Sequence, residues 1–213
     1  MSKSDSISMS VIRRLPRYYR FLSELNDQGV DKISSTKLAE IMNVTASQVR
    51  QDLNNFGGFG QQGYGYSVAQ LREEIGKILG LDKSFKAILI GAGNFGSAVV
   101  NYLDFNRLGF ELVACFDCDE NKVGKRLGGL TIRHDDELDS FFEENHVDAA
   151  FLFIPRSAVE NIVDKLYSLG IRNYWNFSHY DITTRYRDTV VENVHLSDNL
   201  MTLCYRMNNN PTN

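Results

Sequence analysis

Lys86-Ala87-Ile88-Leu89-Ile90-Gly91-Ala92-Gly93-Asn94-Phe95-Gly96 decides the architecture of the larger part of this chain. The apolar run Ala87 to Ile90 predicts a strand buried on both faces, and the glycine fingerprint directly after it predicts a turn that opens a helix. In that spacing Gly91 makes the tight turn, Gly93 lets the backbone approach a pyrophosphate, and Gly96 lets helix and strand come close. The phosphates would rest on the helix N-terminus, where unpaired N–H groups and the helix dipole favour negative charge. A lone fingerprint is weak, but this one is answered by Asp117 at the end of the next strand-like run. A carboxylate there accepts from ribose hydroxyls and repels a 2′-phosphate, so the expected ligand is NAD+ or NADH and not NADP(H). The backbone expected to hold it is Gly91, Ala92, Gly93, Asn94, Phe95 and Gly96.

Downstream, strand-like stretches at 110–116, 148–154 and 171–177 alternate with helix-like stretches at 94–105, 135–145 and 156–169. Near-continuous apolar strands such as Ala149-Ala150-Phe151-Leu152-Phe153-Ile154 point to a doubly wound, Rossmann-like α/β fold with a parallel sheet. After Phe177 come a polar stretch, a short strand at 190–194 and a last helix with Leu196, Leu200, Leu203, Cys204 and Met207. That apolar stripe needs a partner, and a second subunit is the simplest source.

Upstream, the pattern changes. Pro16 suits the first turn of a helix carrying Leu15, Tyr18, Tyr19, Leu22 and Leu25, and Gly29 ends it. Arg13, Arg14, Arg17 and Arg20 crowd its start, which fits phosphate contact. Ser34-Ser35 opens a short helix, Asn43-Val44 turns the chain, and Thr45 with Gln48 forms a capping box for a third helix from 46 to about 55. Two short helices across a tight turn make a helix-turn-helix, whose second member would present Ser47, Gln48, Arg50 and Gln51 to a major groove while Val49 and Leu53 face inward. Glycines then alternate with aromatics from Phe56 to Tyr66, as in a β-hairpin wing around Gly60, Gln61, Gln62 and Gly63. No Lys-Ser/Thr follows, so the segment is not a P-loop. Ser67 and Gln70 form a further capping box. The expected domains are a winged helix over 1–80, a Rossmann domain over 85–195 and a C-terminal helix over 196–213.

The 213 residues, 43% hydrophobic and 23% charged, fit two globular domains. Residues 1–80 hold 10 of the 23 Lys and Arg against 8 of the 27 Asp and Glu, leaving 13 against 19 behind them. A mildly basic front and an acidic back suit nucleic acid at the front only. No signal-type segment opens the sequence, and no 18 apolar residues run together, so neither secretion nor a membrane is expected and the cytoplasm is. Three cysteines make no disulfide framework, and Cys115-Phe116-Asp117-Cys118 has no second pair at zinc-finger spacing, so no metal is assigned. A dehydrogenase needs a tuned proton donor beside the nicotinamide. His134, His146, His179 and His195 carry no local catalytic signature, and no Tyr is followed by Lys four residues later. No catalytic residue is assigned. The alternatives are a dehydrogenase with a helical appendage and an architectural DNA binder with a vestigial pocket.

Arg14-Leu15-Pro16-Arg17-Tyr18-Tyr19-Arg20, Ile33-Ser34-Ser35, Gln48-Val49-Arg50-Gln51-Asp52-Leu53, the Phe56 to Tyr66 segment and Gly91 to Gly96 occur here in order. Together, over about residues 10 to 207, they resemble the Rex family of bacterial redox-sensing transcriptional repressors. The resemblance implies a homodimer with exchanged C-terminal helices, bound to palindromic double-stranded operators and released when NADH displaces NAD+. It implies that Tyr102 lies near the nicotinamide and that Ile154, Pro155, Asn176 and Phe177 line the pocket. It implies a switch built on Arg20, Tyr102 and residue 195. Three positions depart from the family pattern: Gln61-Gln62 replaces basic wing residues, Ser178-His179 follows Asn176-Phe177 in place of Ala-Pro, and His195 replaces an aspartate.

Overall fold

Three serine and threonine caps and one left-handed asparagine lay out the front of the chain. The computed structural model describes residues 7–57, 60–61 and 65–209, residues 60 and 61 by their backbone alone. The chain divides between Asp82 and Lys83 into two units, inside the stretch 81–84 that reads as a linker. The front unit runs α1 (Met9–Ile12), α2 (Leu15–Asp27), β1 (Lys32–Ile33), α3 (Ser35–Met42), α4 (Ala46–Asn54), β2 (Gly60–Gln61), β3 (Gly65–Ser67) and α5 (Val68–Leu79). Ser34, Thr45 and Ser67 each accept the backbone N–H three residues on, which starts α3, α4 and α5 where a first turn would otherwise leave N–H groups unpaired. Asn43 ends α3 in the left-handed region at φ 49°, tightening the turn into α4. Leu15, Tyr18 and Leu22 of α2 meet Leu38 and Met42 of α3, Val49 and Leu53 of α4, and Leu71 and Ile75 of α5 in one core.

The expected wing hairpin is present as β2 against β3, with Gly60 opposite Tyr66 and Gln61 opposite Gly65. Strand β1, which the sequence does not announce, pairs on the other side of β3. Gly65 permits this at φ 74°, because an added Cβ would stand 2.6 Å from the Ile33 carbonyl oxygen. The wing residues Gln62 and Gly63 lie outside the described residues.

The back unit runs β4 (Phe85–Ile90), α6 (Asn94–Tyr102), β5 (Phe110–Asp117), β6 (Arg126–Leu127), β7 (Leu130–His134), α7 (Leu138–Glu144), β8 (Ala149–Leu152), α8 (Arg156–Ser168), β9 (Asn173–Asn176), α9 (Ile182–Arg185), β10 (Val190–Asn193) and α10 (Leu196–Asn208). The strands lie in the order β10-β9-β8-β4-β5-β7-β6 and are parallel except for the β6–β7 hairpin. Chain direction across the sheet reverses between β4 and β8, the switch point of a doubly wound fold, and the glycine loop after β4 sits there.

The two faces of this sheet are covered unequally. Side chains of α7, α8 and α9 close one face over Ile88, Phe116, Ala150 and Leu152. The other face has α6, whose Val100 packs over Leu89 and Cys115. Beside it a groove of about 520 Å³ stays open, lined by Phe85, Phe105, Phe110, Phe151, Trp175 and Val190. The expectation of a sheet buried on both faces therefore holds at β4 and fails toward β9 and β10. Helix α10 does not fill the gap: none of its residues is buried.

Candidate functional site

Each glycine of the loop after β4 has its own steric reason. Gly91 has φ 98°, and a Cβ there would stand 2.6 Å from the Phe153 carbonyl oxygen and 2.8 Å from the Ile154 side chain. A Cβ on Gly96 would drive into the Gly91 carbonyl oxygen, so helix and turn touch as the fingerprint requires. Around Gly93 the opposite holds: a Cβ would meet nothing within 4 Å, which leaves space over the backbone for a ligand group. Gly93 is also the N-cap of α6 and offers no side chain to the first-turn N–H groups. Bare donors, the positive end of a nine-residue helix and open space together fit a pyrophosphate. Ala92 is buried, Asn94 and Phe95 are exposed in the first turn, and Ser97 Oγ donates to the Ala92 carbonyl.

Asp117 ends β5 and is almost fully buried. Its carboxylate accepts the Asp119 N–H at 2.9 Å and, through both oxygens, the Lys122 ammonium at 3.2 and 3.1 Å. That contact, its hydrogen bond foremost, raises the Lys122 pKa above the ordinary lysine value. Lys122 was not anticipated from the sequence, where it is one charge in a mixed loop. It offsets part of the negative charge that would repel a 2′-phosphate, so any preference for an unphosphorylated ribose at this position would rest more on hydrogen-bond acceptance than on bare charge. Beside Asp117 in register, His134 ends β7. His134, Asp135 and Asp136 offer ligand atoms within 4.8 Å of one another, but His134 Nδ1 already accepts the Asp136 N–H as a helix cap.

Near the glycine loop an aromatic cluster forms from Phe95, Phe153, Trp175 and Phe177, with Phe153 and Phe177 stacked at 4.6 Å and Phe95 edge-on to both. Ile154 and Pro155 follow β8, and Ile154 stands against Gly91. Tyr102 closes α6 and is 87% exposed. Asn176 takes a different part from the one expected of it. Its Nδ2 donates to the Tyr180 carbonyl and to Asn193 Oδ1, and its Oδ1 accepts from the Ser178 N–H and hydroxyl. Fully buried and fully bonded, this amide shapes the loop after β9 and has nothing left for a ligand. In the same loop His179 adopts φ 58°, and its Nδ1 lies 2.7 Å from Nδ1 of His195, the N-cap of α10. With ring centroids 4.7 Å apart the imidazoles meet edge to edge in nearly one plane, so a single N–H donates to the facing nitrogen. Two of the three departures from the family pattern are thus in contact.

In the front unit, Ser47, Arg50 and Gln51 lie exposed on α4 and, with Asn54 and Asn55, line one shallow depression. The sequence reading missed Asn54 and Asn55, whose i+3 and i+4 spacing from Gln51 was its available signal. Arg50 also donates to Ser35 Oγ at 3.1 Å. Arg17 and Arg20 are exposed and flank the Phe21 ring at 5.6 and 5.4 Å. Arg14 and Gln48 are placed otherwise. Arg14 Nε and Nη2 clasp the Asp52 carboxylate at 2.7 and 2.6 Å, Tyr18 donates to it at 3.1 Å and Gln48 Nε2 at 2.8 Å. The expected capping box at Thr45 is consequently half made: Thr45 accepts the Gln48 N–H, but the Gln48 side chain turns to a buried carboxylate, the stronger acceptor. Burial alone would raise the Asp52 pKa, and hydrogen bonds from Arg14, Gln48 and Tyr18 outweigh it and hold the carboxyl below its ordinary range.

Comparison with known proteins follows the same division. Residues 6–54 match a family described as the N-terminus of putative DNA-binding proteins, and residues 82–180 match the CoA-binding domain family. A redox-sensing transcriptional repressor Rex of Caldicellulosiruptor saccharolyticus is 49% identical over 98% of this chain and 94% of its own length. One from Clostridioides difficile is 46% identical over 97% and 98%. Among solved structures, RSP in complex with β-NAD+ and operator DNA is 48% identical, covering 95% of this chain and 93% of its own, with a TM-score of 0.87. RSP with β-NADH is 44% identical, covers 95% of each chain and has a TM-score of 0.86. These relatives are named as repressors, not as enzymes. Among the described residues no helix is long and apolar enough to cross a membrane.

Proposed function

The chain belongs to the Rex family of redox-sensing transcriptional repressors, and from that premise we propose that it holds operator DNA when free or bound to NAD+ and releases it when NADH binds. The observation that carries this reading is the glycine loop. It has a Gly91 and a Gly96 that tolerate no Cβ, an open Gly93, and bare N–H groups at the start of α6, in a chain whose other unit is a winged helix.

The nucleotide's pyrophosphate would rest on the N–H groups from Gly93 to Gly96, and Asp117 would accept from the adenosine ribose while Lys122 orients it. Ile154, Pro155, Phe95 and Phe177 would form the apolar wall toward the nicotinamide, with Tyr102 at its rim. Asn176 serves by holding the Ser178–Tyr180 loop. On α4, Ser47, Gln48, Arg50 and Gln51, joined by Asn54 and Asn55, would face the major groove, with the wing alongside and Arg17 on phosphate. Arg14 would act chiefly through Asp52. The bound nucleotide is an effector here, not a hydride source, so no catalysis is assigned, and the protein would work in the cytoplasm. Release requires NADH to bind the non-operator conformer more tightly; a tenfold weakening of the operator needs about 1.4 kcal/mol of coupling.

A homodimer is part of the same reading, supported by two complementary features of the back unit. Leu196, Leu200, Leu203 and Met207 form an exposed stripe along α10, and the groove lined by Phe151 and Trp175 is open and apolar. Exchange of α10 between two copies would cover both, and a two-fold protein matches a palindromic operator. The test is a gel shift on genomic fragments at fixed salt, with NAD+ and NADH added separately. Release by NADH alone is expected, and equal retention with both nucleotides refutes the reading.

A further inference from the structure

Among the described residues, Asp52 is the one charged side chain in the front unit that is wholly removed from water. It lies on α4 yet takes three of its four bonds from outside its own turn: two from Arg14 and one from Tyr18. The fourth comes from Gln48, one turn earlier on the same helix. Gln48 is half-buried, and its neighbours Ser47, Arg50 and Gln51 are exposed.

An ionised carboxylate only accepts hydrogen bonds, whereas a glutamine amide has a donor end and an acceptor end that a half-turn about its last bond interchanges. Facing Asp52, the Gln48 amide has one permitted orientation. Its NH2 points to the carboxylate, and Oε1 and the second N–H are left for other partners. The depressed pKa of Asp52 keeps the carboxyl ionised, so the choice is not relaxed by protonation at neutral pH. An acceptor beside a donor, in fixed order, complements the N6 donor and N7 acceptor on the major-groove edge of adenine. Guanine shows two acceptors there and would set its O6 against Oε1.

We propose that Asp52 is a specificity-determining positioning residue: it locks the Gln48 carboxamide so that this side chain reads adenine and rejects guanine at one base pair of each half-site. The proposal rests on α4 being the reading helix. Asp52 itself touches no base. Arg14 and Tyr18 contribute by anchoring the carboxylate from α2, so the lock belongs to the joint between the two helices.

The test is selection of binding sites from randomised duplex DNA with the full chain at fixed salt, for wild type, Gln48→Ala and Asp52→Asn. Wild type is expected to enrich a palindrome with adenine at one position per half-site, preferred over guanine by about tenfold or more, the range of a bidentate base contact. Gln48→Ala should lose that preference and keep the rest. Asp52→Asn should also lose it, because an asparagine NH2 in place of the oxygen that Gln48 meets donates to Oε1 and turns the Gln48 NH2 against the N6 donor of adenine. A merely structural role for Asp52 would weaken binding to all sites alike and leave the base preference unchanged, which would overturn the proposal. If Asp52→Asn does not fold, wild type alone still decides. An operator carrying guanine at that position should bind at least about tenfold more weakly, and equal binding sinks the proposal, since an amide held with Oε1 toward that edge has no donor for guanine O6. No enrichment of any site by wild type counts instead against the repressor reading itself.

Discussion

Helices α4 and α10 show the same kind of apolar periodicity in sequence, and the fold treats them oppositely. Helix α4 is closed on its own unit: Val49 and Leu53 are buried, and Asp52 is clasped by Arg14 and Tyr18 of α2. Helix α10 has the stripe Leu196, Leu200, Leu203 and Met207 and buries none of it. The difference teaches that periodicity announces a face without saying which chain will cover it. A helix that must present polar side chains in fixed order needs rigid support from within. A helix proposed to join two copies would have to leave its apolar face unspent, as α10 does.

The comparison breaks most visibly at α10. Leu200→Glu with Leu203→Glu should leave the isolated chain folded, because both side chains are already exposed. It should cost the dimer roughly 1.5 kcal/mol or more per lost leucine, so light scattering should register a monomer at concentrations where wild type is dimeric. An unchanged dimer would mean that α10 is not the joint. Next in size, Asp52→Leu leaves Arg14 and Gln48 without their acceptor and should destabilise the front unit by about 3 kcal/mol. Hydrogen exchange of the α4 amides measures this, with the back unit as internal control.

Acid gives a gentler version. Because its folded pKa is depressed, Asp52 contributes fully above the ordinary carboxylate pKa of about 3.9, and its contribution is lost as pH falls through and below that value. Exchange of α4 should therefore quicken below pH ~4 in wild type more steeply than in Asp52→Asn. Smallest is His195→Asp. It replaces the imidazole that faces His179 with a carboxylate, in keeping with the family pattern, and should increase NADH-driven operator release a few-fold, about 1 kcal/mol in coupling. Identical release curves would show that the His179–His195 contact carries no part of the response.

Much of this was legible in the residues. The glycine fingerprint, the Thr45 cap and the alternation after Phe85 are local signals, and local geometry obeys them. What was hidden depends on partners remote in sequence. Nothing local singles out Asp52 within the helix 46–55, and only its bond to Arg14, 38 positions earlier, makes it a core residue. Asn176 is a pocket residue only by the family resemblance, and its bonds run instead to Tyr180 and Asn193. The β6–β7 hairpin escaped notice because it is short, edge-lying and turned by Gly128 and Gly129 inside a charge-mixed stretch. The uncovered face of the sheet escaped notice too, since β8 is apolar throughout whether its cover comes from the same chain or another.

Reciprocity offers the most direct test of the account. If NADH loosens the operator, the operator must loosen NADH by the same factor. Calorimetric titration of NADH into the protein alone, and into the protein saturated with its selected operator, should give a weaker Kd in the presence of DNA, matching the factor by which NADH weakens DNA binding. One and the same Kd in both titrations would contradict the sensor mechanism.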